Sequence, residues 1–185
     1  MDGLEDLYME IILDHYRDPR NRGELAPPAH MAEGFNPMCG DEIKVFLDIE
    51  NDAVKKIRIG GQGCSISQAS ASMMTQSIKG KSQAEAEELF SAFRNMITKA
   101  PGSDEHNYDK LGDLSILSGV SNYPSRVKCA ILSWHAVAAV PLAALYDQYG
   151  RFPRSDYCQW IGPSFFDDGL HPSEKTRNVV WLSHG

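Results

Sequence analysis

The sequence has no long apolar run and little cysteine. Four of its 185 residues are cysteines, and no two of them form a Cys-x-x-Cys pair. No stretch reaches the roughly 18 apolar residues of a transmembrane helix, so we expect no membrane partner. The first residues, MDGLEDLYMEIILDHY, have no basic region ahead of the apolar residues and do not resemble a signal peptide.

Basic residues are also scarce relative to acidic ones. The chain has 18 Lys and Arg against 25 Asp and Glu, a net charge of −7. Binding to phosphates requires clustered positive charge, so free nucleic acid is excluded as an expected partner. A reducing compartment disfavours disulfides, so the cysteines favour metal or thiol chemistry. The glycine-rich stretch GGQGCS lacks the lysine and the glycine spacing of a nucleotide-binding loop.

Hydrophobic periodicity predicts an α+β domain over residues 1–150. A helical pattern over residues 4–15 is followed by a proline-rich loop with at most one short strand. Alternating apolar residues over 43–50 and the stretch VKKIRI predict an antiparallel hairpin. Helices are predicted near Ser65, after a Ser82–Glu85 capping box, and after Pro124. Residues 151–185 show no hydrophobic periodicity, and we interpret them as a C-terminal extension of unknown role.

Three cysteines lie close to boundaries between predicted elements. Cys39 is in a loop before a strand, Cys64 is at a strand-to-helix turn, and Cys129 is in the first turns of a helix. With Asp41 they offer three sulfurs and one oxygen, a set that suits tetrahedral zinc, while iron–sulfur clusters also use thiolates. Unrelated free thiols explain the spacing equally well, because free cysteines are common in protein cores.

Arg126 lies three residues before Cys129, so both side chains share one helix face. A guanidinium beside thiolates stabilises the anions, and a solvated arginine at a helix start is the alternative.

Cys158 is interpreted as a packing or spare thiol. All the histidines are interpreted as structural or solvated: His15, His30, His106, His135, His171 and His184.

Three motifs in this order resemble a known family. NPMCGDEI, GGQGCSISQASASMM and SRVKCAILSW are similar to the IscU/NifU N-terminal type of iron–sulfur cluster assembly proteins. Within that family the chain resembles the SufU branch. Lys128 stands where IscU-type scaffolds carry a histidine, Arg126 matches the SufU arginine, and the region from about Phe93 to Gly119 resembles the SufU insertion.

The resemblance implies a two-layer fold, in which a small antiparallel sheet of about three strands is covered by helices. It also implies zinc bound by Cys39, Asp41, Cys64 and Cys129. The implied partner is a SufS-like, pyridoxal-phosphate-dependent cysteine desulfurase, and the implied location is the bacterial cytoplasm. Cys39 would accept its persulfide sulfur, and downstream iron–sulfur assembly proteins would receive it.

Persulfide transfer requires a deprotonated, nucleophilic thiol, and a metal-bound thiolate has its lone pairs occupied. We therefore expect Cys39 to leave the metal for transfer and Arg126 to hold the freed thiolate. Two alternatives stay open. The same ligands could hold iron or a transient 2Fe–2S cluster as a scaffold, or a structural zinc could stabilise an interaction module.

Overall fold

A computed structural model describes residues 3–98, 108–149 and 179–181. Its elements, in chain order, are α1 (Gly3–Arg17), β1 (His30–Asn36), β2 (Asp41–Glu50), β3 (Ala53–Gln62), α2 (Ser65–Ile78), α3 (Gln83–Thr98), a 3-10 segment (Asp109–Asn122), α4 (Pro124–Tyr149) and β4 (Val179–Trp181). None of the helices within these ranges has the length and apolar character needed to cross a bilayer.

The strands form one antiparallel sheet in the order β3-β2-β1-β4. The predicted hairpin is confirmed: β2 pairs with β3 and ends at the Glu50–Ala53 pair. Asn51 and Asp52 connect the strands with φ of 53° and 61°. Positive φ at both positions is the requirement of the tight hairpin turn that Asn and Asp tolerate.

The proline-rich region before Cys39 contains one seven-residue strand, β1, which pairs with β2. The predicted three-stranded antiparallel sheet with helices is therefore confirmed. The structure adds a short fourth strand, β4, which pairs with Glu33, Gly34 and Phe35 of β1. Sequence patterning missed β4 because a three-residue strand shows no measurable period. Within the predicted C-terminal extension, 151–185, only these three residues are described.

Helices α2 and α4 pack on the sheet and on each other. Gly34 of β1 leaves room for α4, since a Cβ there would lie 3.1 Å from Leu132 Cδ1. Small residues let α2 approach α4 closely, and Ser70 Oγ donates a hydrogen bond to Ala130 O at 2.5 Å. Trp134 of α4 stacks on Phe93 of α3 with ring centroids 4.8 Å apart. This packing fixes the two helices that carry the cysteines.

The flanking elements follow local sequence rules. The capping box is confirmed, because the Ser82 N–H donates to Glu85 Oε2 at 2.7 Å and the Glu85 N–H donates to Ser82 Oγ at 3.3 Å. The apolar stretch before α4 is the 3-10 segment. Its buried residues recur every three positions, as the three-residue turn requires: Leu111, Leu114, Leu117 and Val120.

Candidate metal centre

Cys39 lies in the four-residue loop that joins β1 to β2. The strands close on the pair Asn36–Asp41. The carbonyl of Asn36 accepts hydrogen bonds from the N–H of Cys39 at 3.3 Å and of Gly40 at 2.8 Å. Gly40 has φ of +70°, a left-handed conformation that glycine adopts readily. The loop therefore turns tightly and leaves Cys39 exposed.

Asp41 begins β2 and is 1% exposed. Its Oδ1 accepts a hydrogen bond from the Cys64 N–H at 2.8 Å, and its Oδ2 lies 3.9 Å from Cys64 Sγ. Gly63 makes this approach possible, because a Cβ at Gly63 would lie 2.7 Å from Asp41 Oδ1. The carboxylate is thus fixed between β2 and the start of α2.

Cys64 is the N-cap residue of α2, where its sulfur accepts a hydrogen bond from the Ser67 N–H at 3.4 Å. A hydrogen bond from the Cys129 thiol and the N–H groups of Ser67 and Ile66 lower the pKa of Cys64 to about 6, against the effect of burial. Free N–H groups at a helix start favour negative charge. Cys64 therefore ionises more readily than an ordinary cysteine thiol.

Cys129 is fully buried in α4. Its sulfur lies 3.5 Å from Cys39 Sγ and 3.6 Å from Ser125 O. The side-chain amide of Asn36 donates a hydrogen bond to this sulfur at 3.8 Å. Donation of the Cys129 proton to Cys64, together with burial, raises the pKa of Cys129. The thiol of Cys129 therefore keeps its proton more readily than the thiol of Cys64.

Together these residues form a group that could hold a metal ion. Ligand atoms of Cys39, Asp41 and Cys129 all lie within 4.8 Å of one another, and Cys64 joins them through Asp41. Ligands about 2.3 Å from a tetrahedral zinc lie roughly 3.8 Å apart. The Cys39–Cys129 and Asp41–Cys64 separations of 3.5 and 3.9 Å match that spacing. Cys39, Asp41 and Cys129 thus form a donor set that suits zinc, and Cys64 contacts this set through Asp41 without belonging to the group within 4.8 Å.

Arg126 is exposed in the first turn of α4. Negative charge on Cys64 and then Cys129, a hydrogen bond to Cys64, and a smaller contribution from Cys39 raise the pKa of Arg126. The sequence predicted Arg126 as a partner of Cys39. All three thiols thus act on the guanidinium, Cys64 more than Cys39, and the role of Arg126 towards Cys39 stays a prediction.

Two of the predicted non-ligand histidines lie in the core. His15 Nδ1 and Ser72 Oγ are hydrogen-bonded at 2.8 Å, and His135 meets the Phe90 ring edge-on with centroids 5.5 Å apart. His30 begins β1. Predictions for the remaining candidates concern positions outside the described residues: His106, Cys158, His171 and His184.

Sequence reasoning missed Asn36. The residue was given no role beyond its place in the motif NPMCGDEI, yet it is 1% exposed and touches the sulfur of Cys129. This contact joins residues 93 positions apart, so no local sequence signal could have identified it.

Comparison with known proteins identifies the family. The model of the NifU-like N-terminal domain matches residues 7–130, which include all four candidate ligands and Arg126. The chain is 43% identical over 134 residues to the zinc-dependent sulfurtransferase SufU of Bacillus subtilis, covering 72% of this chain and 88% of SufU. It is 41% identical over 130 residues to the iron–sulfur cluster assembly scaffold protein IscU of Thermotoga maritima, covering 69% of this chain and 87% of IscU. The chain belongs to the NifU-like N-terminal domain family, and the predicted resemblance is confirmed.

Solved structures agree with this assignment. A putative iron–sulfur cluster assembly scaffold protein for the SUF system from Fervidobacterium islandicum superimposes with a TM-score of 0.66 at 32% identity, covering 71% of this chain and 93% of that one. A NifU-like N-terminal protein from Brucella abortus, at 24% identity and a TM-score of 0.65, covers 76% and 95% and shows the same fold.

Proposed function

We propose that this protein is a zinc-dependent persulfide acceptor that activates a cysteine desulfurase and passes sulfur to iron–sulfur cluster assembly proteins in the cytoplasm. The observation that carries the proposal is the exposure of one sulfur in an otherwise enclosed group. Cys39 is exposed, Cys64 is half-buried, and Cys129 and Asp41 are buried. A structural zinc site usually encloses all its ligands, so an exposed loop cysteine favours a reactive role. The similarity to SufU supports the same function.

The transfer step conserves electrons. The Cys39 thiolate attacks the outer sulfur of the desulfurase persulfide, an S–S bond forms on Cys39, and the S–S bond to the desulfurase cysteine breaks as that cysteine leaves as a thiolate. Zinc held by Cys39, Asp41, Cys64 and Cys129 would keep the thiols deprotonated and the loop in place. Arg126 offsets the negative charge of the thiolates while Cys39 reacts.

The surface around Cys39 suits a protein partner. Met38, next to Cys39, is 65% exposed, and Tyr123, just before α4, is 63% exposed. The Tyr123 carbonyl accepts a hydrogen bond from the Arg126 N–H at 2.8 Å. Tyr and Met are enriched at interfaces. We assign these two side chains to contact with the desulfurase.

A scaffold for a 2Fe–2S cluster is the second candidate function. Three sulfurs next to one carboxylate, with Cys39 and Cys129 only 3.5 Å apart, favour it, as does the similarity to IscU. Lys128 in place of the scaffold histidine weighs against it. The third candidate, an interaction module with structural zinc, is disfavoured by the exposure of Cys39.

The decisive test combines metal analysis with desulfurase kinetics. The protein is purified anaerobically, its zinc and iron are measured, and sulfide release by the desulfurase from free cysteine is followed with and without it. We expect one zinc per chain and faster release. Visible iron–sulfur absorbance would favour the scaffold, and zinc without acceleration would contradict the proposal.

Arg126→Ala tests the role of the guanidinium. Its matched control is Lys128→Ala, which removes a positive charge two residues further along α4. We expect about a tenfold slower transfer for Arg126→Ala at equal zinc content, in line with the typical cost of a charged hydrogen bond, and the parent rate for Lys128→Ala. Equal rates in the two variants would contradict this role.

A further inference from the structure

Asn36 connects the β1–β2 hairpin to α4, the helix that carries Cys129. It is the last residue of β1, 1% exposed, and opposite Asp41 in the ladder. Its side-chain amide donates to Cys129 Sγ at 3.8 Å, and its Oδ1 accepts the Met38 N–H at 3.1 Å. Both ends of the Asn36 side chain are therefore occupied, one by the loop and one by a sulfur.

The backbone of Asn36 holds the same loop. Its carbonyl accepts the N–H groups of Cys39 and Gly40. The loop that carries Cys39 is thus bound at three points to one residue, which also touches Cys129. Residues that donate to a metal ligand without binding the metal orient that ligand, and their loss weakens metal binding.

The side chain of Asn36 distinguishes Cys129 from Cys39, although the two sulfurs lie only 3.5 Å apart. Cys129 is buried, and the Asn36 amide and α4 hold its sulfur. Cys39 is exposed in a loop. We propose that Asn36 is a positioning residue that fixes Cys129 within the group and leaves Cys39 as the thiol free to react. The inference rests on the proposed function, in which one thiol of the group accepts sulfur.

Two substitutions separate this role from a simple turn-forming role. Asn36→Asp keeps the Oδ1 acceptor for the Met38 N–H, a turn that Asp forms as well as Asn, but it removes the donor to Cys129. Asn36→Ala removes both interactions. A role confined to the turn predicts that Asn36→Asp behaves like the parent protein, whereas the proposal predicts that both variants are impaired.

Thr75→Val is the matched control. Thr75 is buried on α2, its Oγ1 donates to Ser72 O at 2.7 Å, and it accepts from Asn21 Nδ2 at 2.9 Å. It lies eleven residues after Cys64 on the same helix, or about 16 Å along the helix axis. The substitution costs a buried polar contact without touching the group of thiols.

The first readout is zinc affinity, measured by competition with a chromogenic chelator. We expect Asn36→Asp and Asn36→Ala to lose about 10- to 100-fold, the typical effect of removing a partner of a metal ligand, and Thr75→Val to keep the parent affinity. The second readout is alkylation of the metal-free proteins by iodoacetamide, quantified by peptide mass spectrometry. We expect the labelling of Cys129 relative to Cys39 to rise severalfold in both Asn36 variants only.

Parent-like affinity and labelling in Asn36→Asp would overturn the proposal, as would equal losses in Thr75→Val. Impairment of Asn36→Asp alone would also overturn it, because charge repulsion would then explain the effect. Failure of the proposed function is detected separately, since the labelling of metal-free protein does not depend on the desulfurase.

Discussion

The two halves of the metal centre differ in how they are held. One half is the β1–β2 hairpin, which supplies Cys39 from its loop and Asp41 from the start of β2. The other half is helical, with Cys64 at the N-cap of α2 and Cys129 inside α4. Cys39 is exposed, whereas Cys129 is fully buried. The comparison shows one sulfur open to solvent and another enclosed by packed helices.

The physical basis of this difference is packing. The helices carrying Cys64 and Cys129 contact each other through small buried residues, with Ser70 bonded to Ala130 beside Cys129. The Cys39 loop is held by hydrogen bonds to Asn36. Its glycine, Gly40, is loosely surrounded, because a Cβ added there would meet no atom within 4 Å. Sites on packed helices are more precisely fixed than sites on loops. The Cys39 loop is therefore the part of the centre best able to move, whereas Asp41 and the helical half are held in place.

The largest expected effect separates Cys39 from Cys129. Cys39→Ser should abolish sulfur acceptance yet change the free energy of unfolding of the metal-free protein by less than about 0.5 kcal/mol, as at other exposed positions. Cys129→Ser places a hydroxyl in a buried site and should cost roughly 1–3 kcal/mol. Urea unfolding of the zinc-free proteins measures both values. Equal losses of unfolding free energy in Cys39→Ser and Cys129→Ser would contradict the difference between the two halves.

An intermediate effect is expected where the halves meet. Gly63→Ala would place a Cβ 2.7 Å from Asp41 Oδ1, so the carboxylate must shift, and we expect at least about a tenfold loss of zinc affinity. Gly60→Ala, three residues earlier on β3, is the control, because its Cβ would meet only Lys44 Cβ at 3.8 Å, an ordinary contact. Chelator competition measures both variants, and equal affinities would contradict the tight fit between Asp41 and Gly63.

The smallest effect at neutral pH concerns the helical core. Burial, and secondarily the charge of Arg94, lower the pKa of His135 to about 3 from 6.5. The unfolded chain therefore binds a proton first as pH falls, so stability is complete above pH 6.5 and is lost towards pH 3, by about 1.4 kcal/mol per pH unit. His135→Leu should flatten this dependence in urea unfolding between pH 7 and pH 4. An unchanged slope would contradict the assignment.

The fold was largely predictable because its signals are local. Alternation gave β2 and β3, Ser82 with Glu85 gave the start of α3, and the motif order gave the family. Contacts between distant residues were not predictable. Asn36 and Cys129 are 93 positions apart. No local pattern shows whether Asn36 only forms a turn or also donates a hydrogen bond to a candidate ligand. The fit of Gly63 against Asp41 likewise exists only in the folded chain.

The candidate ligands were predicted by their positions at element boundaries and by the family resemblance, which also singled out Cys39 as the acceptor, but their unequal burial was not predicted. Spacing treats Cys39, Cys64 and Cys129 alike, whereas burial separates them. Arg126 was expected to serve Cys39, and its stronger interaction with Cys64 depends on how the starts of α2 and α4 meet. Burial and electrostatic contact are properties of tertiary packing.

The site of persulfide formation tests the central claim most directly. Zinc-loaded protein is mixed with the desulfurase and free cysteine, exposed thiols and persulfides are alkylated, and the peptides containing Cys39, Cys64 and Cys129 are analysed by mass spectrometry. The account predicts an added sulfur on Cys39 and none on the other two. An added sulfur on Cys64 or Cys129, or on no cysteine while sulfide release is accelerated, would contradict it.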